Sequence, residues 1–195
     1  LKYGFNMVRI IEKNYTLEAS ILNDENYANN KIKLDNITNN AKVLDVGCAD
    51  GKIGEFLNRE KNCEIVGFEY CSDAIEAAHR RNSYKALYKQ DLNNFDETEF
   101  EQYQNYFDFI LLGDVLEHLI YPENILNKMK SLLKNDGSFI ISLPNISHGS
   151  VKLKLLKNKF EYTKVGLLDD SHIRFFTLEN IIGLMNGLNL KIKDF

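Results

Sequence analysis

Asp45, Glu69 and Asp91 each sit at or near the end of a short apolar run, in Val43-Leu44-Asp45-Val46, Val66-Gly67-Phe68-Glu69 and Tyr88-Lys89-Gln90-Asp91. If those runs are neighbouring strands of one sheet, the three acids gather at its carboxyl edge, where open α/β sheets bind their ligands. A carboxylate accepts two hydrogen bonds at once, so Glu69 is suited to grip both hydroxyls of a ribose. Asp91 is suited to accept from an exocyclic amine such as that of adenine. The plainer alternatives are a solvated loop carboxylate for Glu69 and a turn or helix cap for Asp91. Directly after the first acid comes Gly47-Cys48-Ala49-Asp50-Gly51, a turn tight enough to need glycine, both for its backbone angles and for close approach of a ligand to the main chain.

A second set follows the fourth apolar run. Asp114, Glu117 and His118 are spaced i, i+3 and i+4, so they share one face if Asp114 begins a helix. With His148 or His172 they would make an oxygen-and-nitrogen set able to hold a cation that polarises a hydroxyl. More often such a helix packs beneath a pocket, and no metal is assigned. Leu167-Leu168-Asp169-Asp170-Ser171-His172-Ile173-Arg174-Phe175-Phe176-Thr177 is a polar stretch ahead of a helix, bringing an imidazole and a guanidinium together. Its plainer reading is a loop tied down by pairing with Asp169 or Asp170. Lys152, Lys154, Lys157 and Lys159 alternate with Val151, Leu153, Leu155 and Leu156. That run reads as a solvated face, or else as a lid over an anionic substrate or a contact for lipid headgroups or RNA.

The elements that position these residues read as successive βα units. Apolar runs at 42–46, 64–68, 85–89, 106–112 and 138–143 predict five largely parallel strands, and 188–194 alternates as a half-exposed sixth. Helices fit between them. Ile53, Phe56 and Leu57 form one stripe, and Ser72 is the N-cap of a helix carrying Ala74, Ile75, Ala77 and Ala78. Pro122 opens a helix with Ile125, Leu126, Met129, Leu132 and Leu133, ended by Asn135-Asp136-Gly137. Thr177 caps the last one, whose stripe is Leu178, Ile181, Ile182 and Met185. Residues 1–40, rich in Asn and Lys, are expected to form a helical cap, with helices at 16–22 and 25–37. Residues 41–195 form one domain, in which 144–176 is an insert long enough to shape a substrate side.

The 195 residues, 44% apolar and 27% charged, suit a single core. A net charge of −4 with dispersed basic residues argues against a general nucleic-acid surface. The 3 cysteines lack paired spacing, which argues against a disulfide framework or a thiolate zinc site and makes the cytoplasm the default compartment. No apolar run is long enough to span a membrane. Leu1 in place of Met suggests a processed or excised fragment of a longer protein.

Taken in order, these motifs resemble those of class I S-adenosylmethionine-dependent methyltransferases over residues 41–195. Asp45-Val46-Gly47-Cys48-Ala49-Asp50-Gly51 is similar to the first motif of that family, Glu69 to its second-strand acid, Asp91 to its third, and Leu111-Leu112-Gly113-Asp114-Val115-Leu116-Glu117-His118 to its fourth-strand segment. The dehydrogenase pattern Gly-x-Gly-x-x-Gly is absent. Ala49 stands where the family often has Gly. The resemblance implies a Rossmann-like, doubly wound, mostly parallel sheet in a three-layer α/β/α sandwich, with the family's final antiparallel strand missing. Residues 4–12, a partner chain or a trimmed segment are the open candidates to cover the edge that strand leaves.

The resemblance further implies that S-adenosylmethionine is held by Asp45, Gly47, Cys48, Ala49, Gly51, Glu69, Tyr70, Asp91, Leu92 and Asp114, with Phe68 or Tyr70 over the adenine. Methyl transfer is an in-line displacement, so alignment is the protein's chief task, and a base is needed only when the acceptor sheds a proton. His118, His148 and His172 fall on the substrate side, and the catalytic candidates are His172 first, then His118 and Asp114. Leu143-Pro144-Asn145 and the His172-to-Thr177 stretch are similar to methyltransferase domains of bacterial polysaccharide and sugar modification. The expected activity is transfer to oxygen or nitrogen of a small-molecule or carbohydrate acceptor. The alternatives are a catalytically silent cofactor-binding module of a larger glycan-assembly protein and a metal-dependent O-methyltransferase. Neither the oligomeric state nor the acceptor's identity is fixed by these motifs.

Overall fold

A computed structural model of the chain describes residues 7–13 and 34–194. The chain builds one seven-stranded sheet from β1 (Met7–Lys13), β2 (Lys42–Val46), β3 (Glu64–Glu69), β4 (Ala86–Lys89), β5 (Phe107–Gly113), β6 (Leu133–Pro144) and β7 (Lys191–Asp194). The order across the sheet is β4-β3-β2-β5-β6-β1-β7, and the neighbouring strands pair in parallel. The helices are α1 (Lys52–Lys61), α2 (Ser72–Arg80), α3 (Pro122–Met129), α4 (Gly149–Leu156) and α5 (Leu178–Gly187).

Alternation along each strand sends one set of side chains to each sheet face, and both faces are covered as a parallel sheet requires. Val43, Ile65, Leu111 and Ile140 face one way and pack with Leu57 of α1, Leu34 and Ile37. Leu44, Val66, Ile110, Leu112, Phe139 and Ile141 face the other, against Ile125, Leu126 and Met129 of α3 and Ile181 and Met185 of α5. The stripes read from sequence therefore face the core, although Ala74, Ile75, Ala77 and Ile182 are only half-buried and Leu178 is exposed.

The five strands β2 to β6 fall where periodicity places them, and β7 takes the place of the sixth. Met7–Lys13 is a strand between β6 and β7, parallel to both, so this stretch fills the seat open in the sequence reading and is not part of a helical cap. The helix expected at 16–22 and most of that at 25–37 lie outside the described residues. Two terminators differ from expectation. Cys71, not Ser72, is the N-cap of α2, and the Ser72 hydroxyl instead accepts a 2.7 Å bond from Lys89 Nζ. Asn135-Asp136-Gly137 does not precede the strand but lies inside β6, where Phe107 pairs with Leu133 and Phe109 with Ser138. A bulge absorbs the turn-forming residues there, because α3 has already ended in a 3-10 turn at Lys130–Leu132.

The strand order reverses between β2 and β5: the chain runs outward through β3 and β4, then crosses back. The loops after β2 and β5 diverge at that point and leave a crevice.

Candidate active site

A cavity of about 470 Å³ opens at that crevice, within the size range of small-molecule sites. Gly47 after β2, Glu69 and Tyr70 after β3, Asp91 and Leu92 after β4, and Asp114 and His118 after β5 line it. Six residues named from sequence as cofactor contacts thus share one cavity wall: Gly47, Glu69, Tyr70, Asp91, Leu92 and Asp114. Asp45, Cys48, Ala49 and Gly51 are not on that wall.

Asp45 at the end of β2 and Cys48 and Gly51 of the turn itself are buried. Gly47 and Gly51 have φ of +69° and +81°, the left-handed region that favours glycine, and a Cβ on Gly47 would stand 2.8 Å from Val115 Cγ2. Asp45 is almost wholly buried and accepts a 2.7 Å bond from the Tyr84 hydroxyl. The Tyr84 ring reaches it through a slot left by glycines: a Cβ on Gly54 would lie 2.2 Å from Tyr84 Cζ, and one on Gly67 2.9 Å from Cε1. Burial and the Asp45 carboxylate push the Tyr84 hydroxyl far up, so it stays protonated as the donor. The Cys48 thiol is raised by the same two causes, burial first, and is no thiolate. Nothing in the sequence near Tyr84 signals this role.

Ala49 takes the left-handed conformation its position demands, at φ +47°. Its N–H donates to Glu69 Oε2 at 2.9 Å, while Glu69 Oε1 accepts from the backbone N–H groups of Tyr70 and Cys71, both at 2.8 Å. A carboxylate has about four lone-pair sites. Three are taken by backbone here, so Glu69 ties the glycine turn to the β3 turn as well as facing the cavity. Asp91 is both a cap and a wall residue, accepting from Asn93 N at 3.0 Å and Asn94 Nδ2 at 2.7 Å. Of the two rings considered for stacking, Phe68 is locked among Phe95, Phe100 and Tyr88, whereas Tyr70 stands exposed at the rim.

The fourth-strand set rearranges. Asp114 has φ +56°, so it begins no helix, and it does not share a helical face with Glu117 and His118. Ser142 of β6, buried and not foreseen from sequence, donates its hydroxyl to Asp114 Oδ1 at 2.8 Å and accepts from Asp114 N. Glu117 and His118, in the 3-10 turn Leu116–His118, instead meet His172: one ligand atom from each lies within 4.8 Å of the others. His148 is apart from them, capping α4 through Nδ1 to Ser150. The His118 and His172 rings are 4.9 Å apart, but only His118 lines the cavity. His172 is buried behind it, and that burial, then the neighbouring His118, lowers its pKa. His118 Nδ1 lies 3.2 Å from the Ser171 carbonyl, which can only accept; Nδ1 therefore carries the proton and Nε2 is left as the acceptor.

Arg174 pairs with neither Asp169 nor Asp170. Its guanidinium donates to the Ile120 carbonyl through Nε and Nη2, and its backbone N–H and that of Ile173 donate to Glu117 O, both at 3.0 Å. Asp169 accepts from Ser171, and Asp170 pairs with Lys164. Ile173 and Arg174 are thereby laced onto the loop after β5, while Phe176 O accepts from Ile146 N after β6.

Residues 23–194 match the family model of a methyltransferase domain. A ubiquinone biosynthesis O-methyltransferase of Actinobacillus pleuropneumoniae serotype 5b (strain L20) is 30% identical over 126 residues, 60% of this chain and 53% of that protein. A namesake from Shewanella sp. (strain ANA-3) is 22% identical over 78% of this chain and 64% of its own length. The chain spans about half the length of the first of these relatives. Among solved structures, a SAM-dependent methyltransferase from Archaeoglobus fulgidus superposes with a TM-score of 0.62 at 19% identity, covering 85% of this chain and 67% of that one. The plantazolicin methyltransferase BpumL in complex with SAH gives 0.59 at 21% identity over 76% of this chain and 55% of its own. With the Rossmann-like methyltransferase fold and a family match that runs over most of its length, the chain belongs to the methyltransferase domain family.

Proposed function

We propose that this protein is an S-adenosylmethionine-dependent methyltransferase that methylates an oxygen of a small-molecule acceptor, nitrogen being the lesser alternative. The observation that carries the reading is the single cavity in which Gly47, Glu69, Asp91, Asp114 and His118 meet at the crossover of the sheet. When bound, S-adenosylmethionine supplies a methyl group already activated on a sulfonium. Gly47, bare of side chain, lets that group approach the main chain. Glu69 would offer the lone pair its three backbone donors leave open to a ribose hydroxyl. Asp91 and Leu92 frame the adenine with Tyr70 over its face, and Asp114 closes the methionine end.

His118 replaces His172 as the base. It alone of the two imidazoles borders the cavity, and the Ser171 carbonyl fixes its tautomer with Nε2 free to take the proton that a hydroxyl sheds as it attacks. His172 supports that ring from behind. The oxygen acceptor is supported by the two relatives, both named as O-methyltransferases. A carbohydrate acceptor rests only on the resemblance of the segment around Leu143-Pro144-Asn145, since neither relative's name refers to sugars. Calorimetry with S-adenosylmethionine, followed by a screen for S-adenosylhomocysteine over phenols, catechols and sugar nucleotides, tests the reading. Binding without turnover on any acceptor favours the silent-module alternative.

The Glu117, His118 and His172 cluster favours a second reading, in which a divalent cation is held there and polarises the acceptor oxygen. His172 Nδ1 is buried with no hydrogen-bond partner, and a lowered pKa keeps that nitrogen neutral and able to ligate.

A further inference from the structure

Six of the eleven exposed large apolar side chains among the described residues fall between Leu153 and Val165: Leu153, Leu155, Leu156, Phe160, Tyr162 and Val165. The helix α4 buries only Val151, and Leu156 is 81% exposed. An ordinary surface helix hides its apolar residues and shows its charged ones. This one shows both together. Lys152, Lys154, Lys157 and Lys159 lie among the leucines and make no ion pair with a described residue, and between Gly149 and Leu168 the sequence holds one acid, Glu161. On a chain of net charge −4, such a stretch is a local departure in sign as well as in polarity.

We propose that α4 and the segment through Val165 dock on an anionic lipid surface. Lysine stems lie along apolar material while their ammonium heads reach anionic groups, and the leucines, Phe160 and the Tyr162 ring enter the headgroup boundary. A second copy of this chain is a poorer occupant, because a two-fold contact would set four lysines against four lysines. RNA is poorer too, since aliphatic leucines and Val165 offer a nucleotide neither stacking nor hydrogen bonds.

The docking face is joined to the cavity. Phe160 lies 5.4 Å from Tyr162 and 5.9 Å from Phe175; Phe175 lies 6.5 Å from His172, which is 4.9 Å from His118 on the cavity wall. A run of rings thus leads from the lipid-facing side to the reacting centre. Docking would set the cavity beside the bilayer.

Co-sedimentation of the full chain with vesicles is the test, using phosphatidylcholine alone and phosphatidylcholine mixed with phosphatidylglycerol, at low and high salt. Binding is expected only to the anionic vesicles, weakening as salt rises. Lys152→Glu/Lys157→Glu should lower the apparent affinity roughly tenfold or more, and Leu153→Asp/Leu156→Asp should abolish binding. These positions are exposed, so circular dichroism and Tm should match the parent and exclude misfolding. Failure to bind anionic vesicles, equal binding to both kinds, or unchanged binding by the variants overturns the proposal. So does a wild-type dimer in sedimentation velocity that Leu153→Asp converts to monomer, which would make the face a contact between copies.

Discussion

The Tyr84 hydroxyl donates to Asp45 Oδ2 at 2.7 Å, joining the stretch ahead of β4 to the strand that carries the glycine turn. Asp45 is almost fully buried, so losing the donor takes away one of the bonds that hold a carboxylate in the interior. Tyr84→Phe is expected to cost about 1–3 kcal/mol of stability, read as a lower urea midpoint at constant m. An unchanged midpoint would mean that the bond contributes nothing net.

Gly54 and Tyr84 are coupled by the same slot. A methyl at Gly54 meets the Tyr84 ring at 2.2 Å, so Gly54→Ala should destabilise by roughly 1–3 kcal/mol through overpacking. In a Tyr84→Ala background the added methyl has room. A double-mutant cycle on denaturation midpoints should return a coupling of about 1 kcal/mol or more, and simple additivity would refute the slot.

Ala49 carries a left-handed backbone, which costs an L residue roughly 1–2 kcal/mol, while glycine loses about 0.5–1 kcal/mol more chain entropy on folding. Ala49→Gly is therefore expected to raise stability by up to about 1 kcal/mol. Differential scanning calorimetry checks it, and a lower Tm would show that the turn does not need glycine here.

Glu69 is expected to matter to the cofactor. Glu69→Ala should weaken S-adenosylmethionine by about 2 kcal/mol or more, part of it from the three backbone donors released. Calorimetric affinity equal to the parent's removes Glu69 from the site.

His172 gives a pH signature. Burial, and then His118, hold its pKa below the ordinary value, so the unfolded chain takes up a proton before the folded one does. This contribution to stability is complete above the ordinary histidine range and declines as pH falls through it. Tm measured from pH 7.5 to 5 in metal-free buffer should fall less steeply for His172→Gln than for the parent; parallel profiles would contradict it. In turnover assays, His118→Ala should abolish activity whichever role the cluster has. Activity that survives exhaustive chelation leaves His118 as a base and dismisses the cation.

Much of this was legible in the chain because the signals are local. Strand ends, glycines and acids occupy fixed places along each βα unit, so Gly47, Glu69 and Asp91 come to one edge from periodicity, and Asp114 joins them through the resemblance to the methyltransferase family. What escaped depends on contacts distant in sequence. Tyr84 reaches back to Asp45, and Ser142 reaches to Asp114 across the sheet; neither partner carries a mark of its own. A polar loop reads as exposed and favours His172 over His118, yet that loop is held by Arg174 on the Ile120 carbonyl and the imidazole is buried. The spacing of Asp114 and His118 predicts one helical face, but the positive φ of Asp114 keeps it out of any helix.

The place of β1 bears on how the molecule assembles. Met7 pairs with Ser138 and Lys191, so β1 finds its neighbours only after the whole run from β2 to β6 has been synthesised. Until then β6 and β7 offer unsatisfied edges on either side of an empty lane. Closing so long a loop is entropically slow, so β1 should take its place between β6 and β7 only after the local βα units have formed.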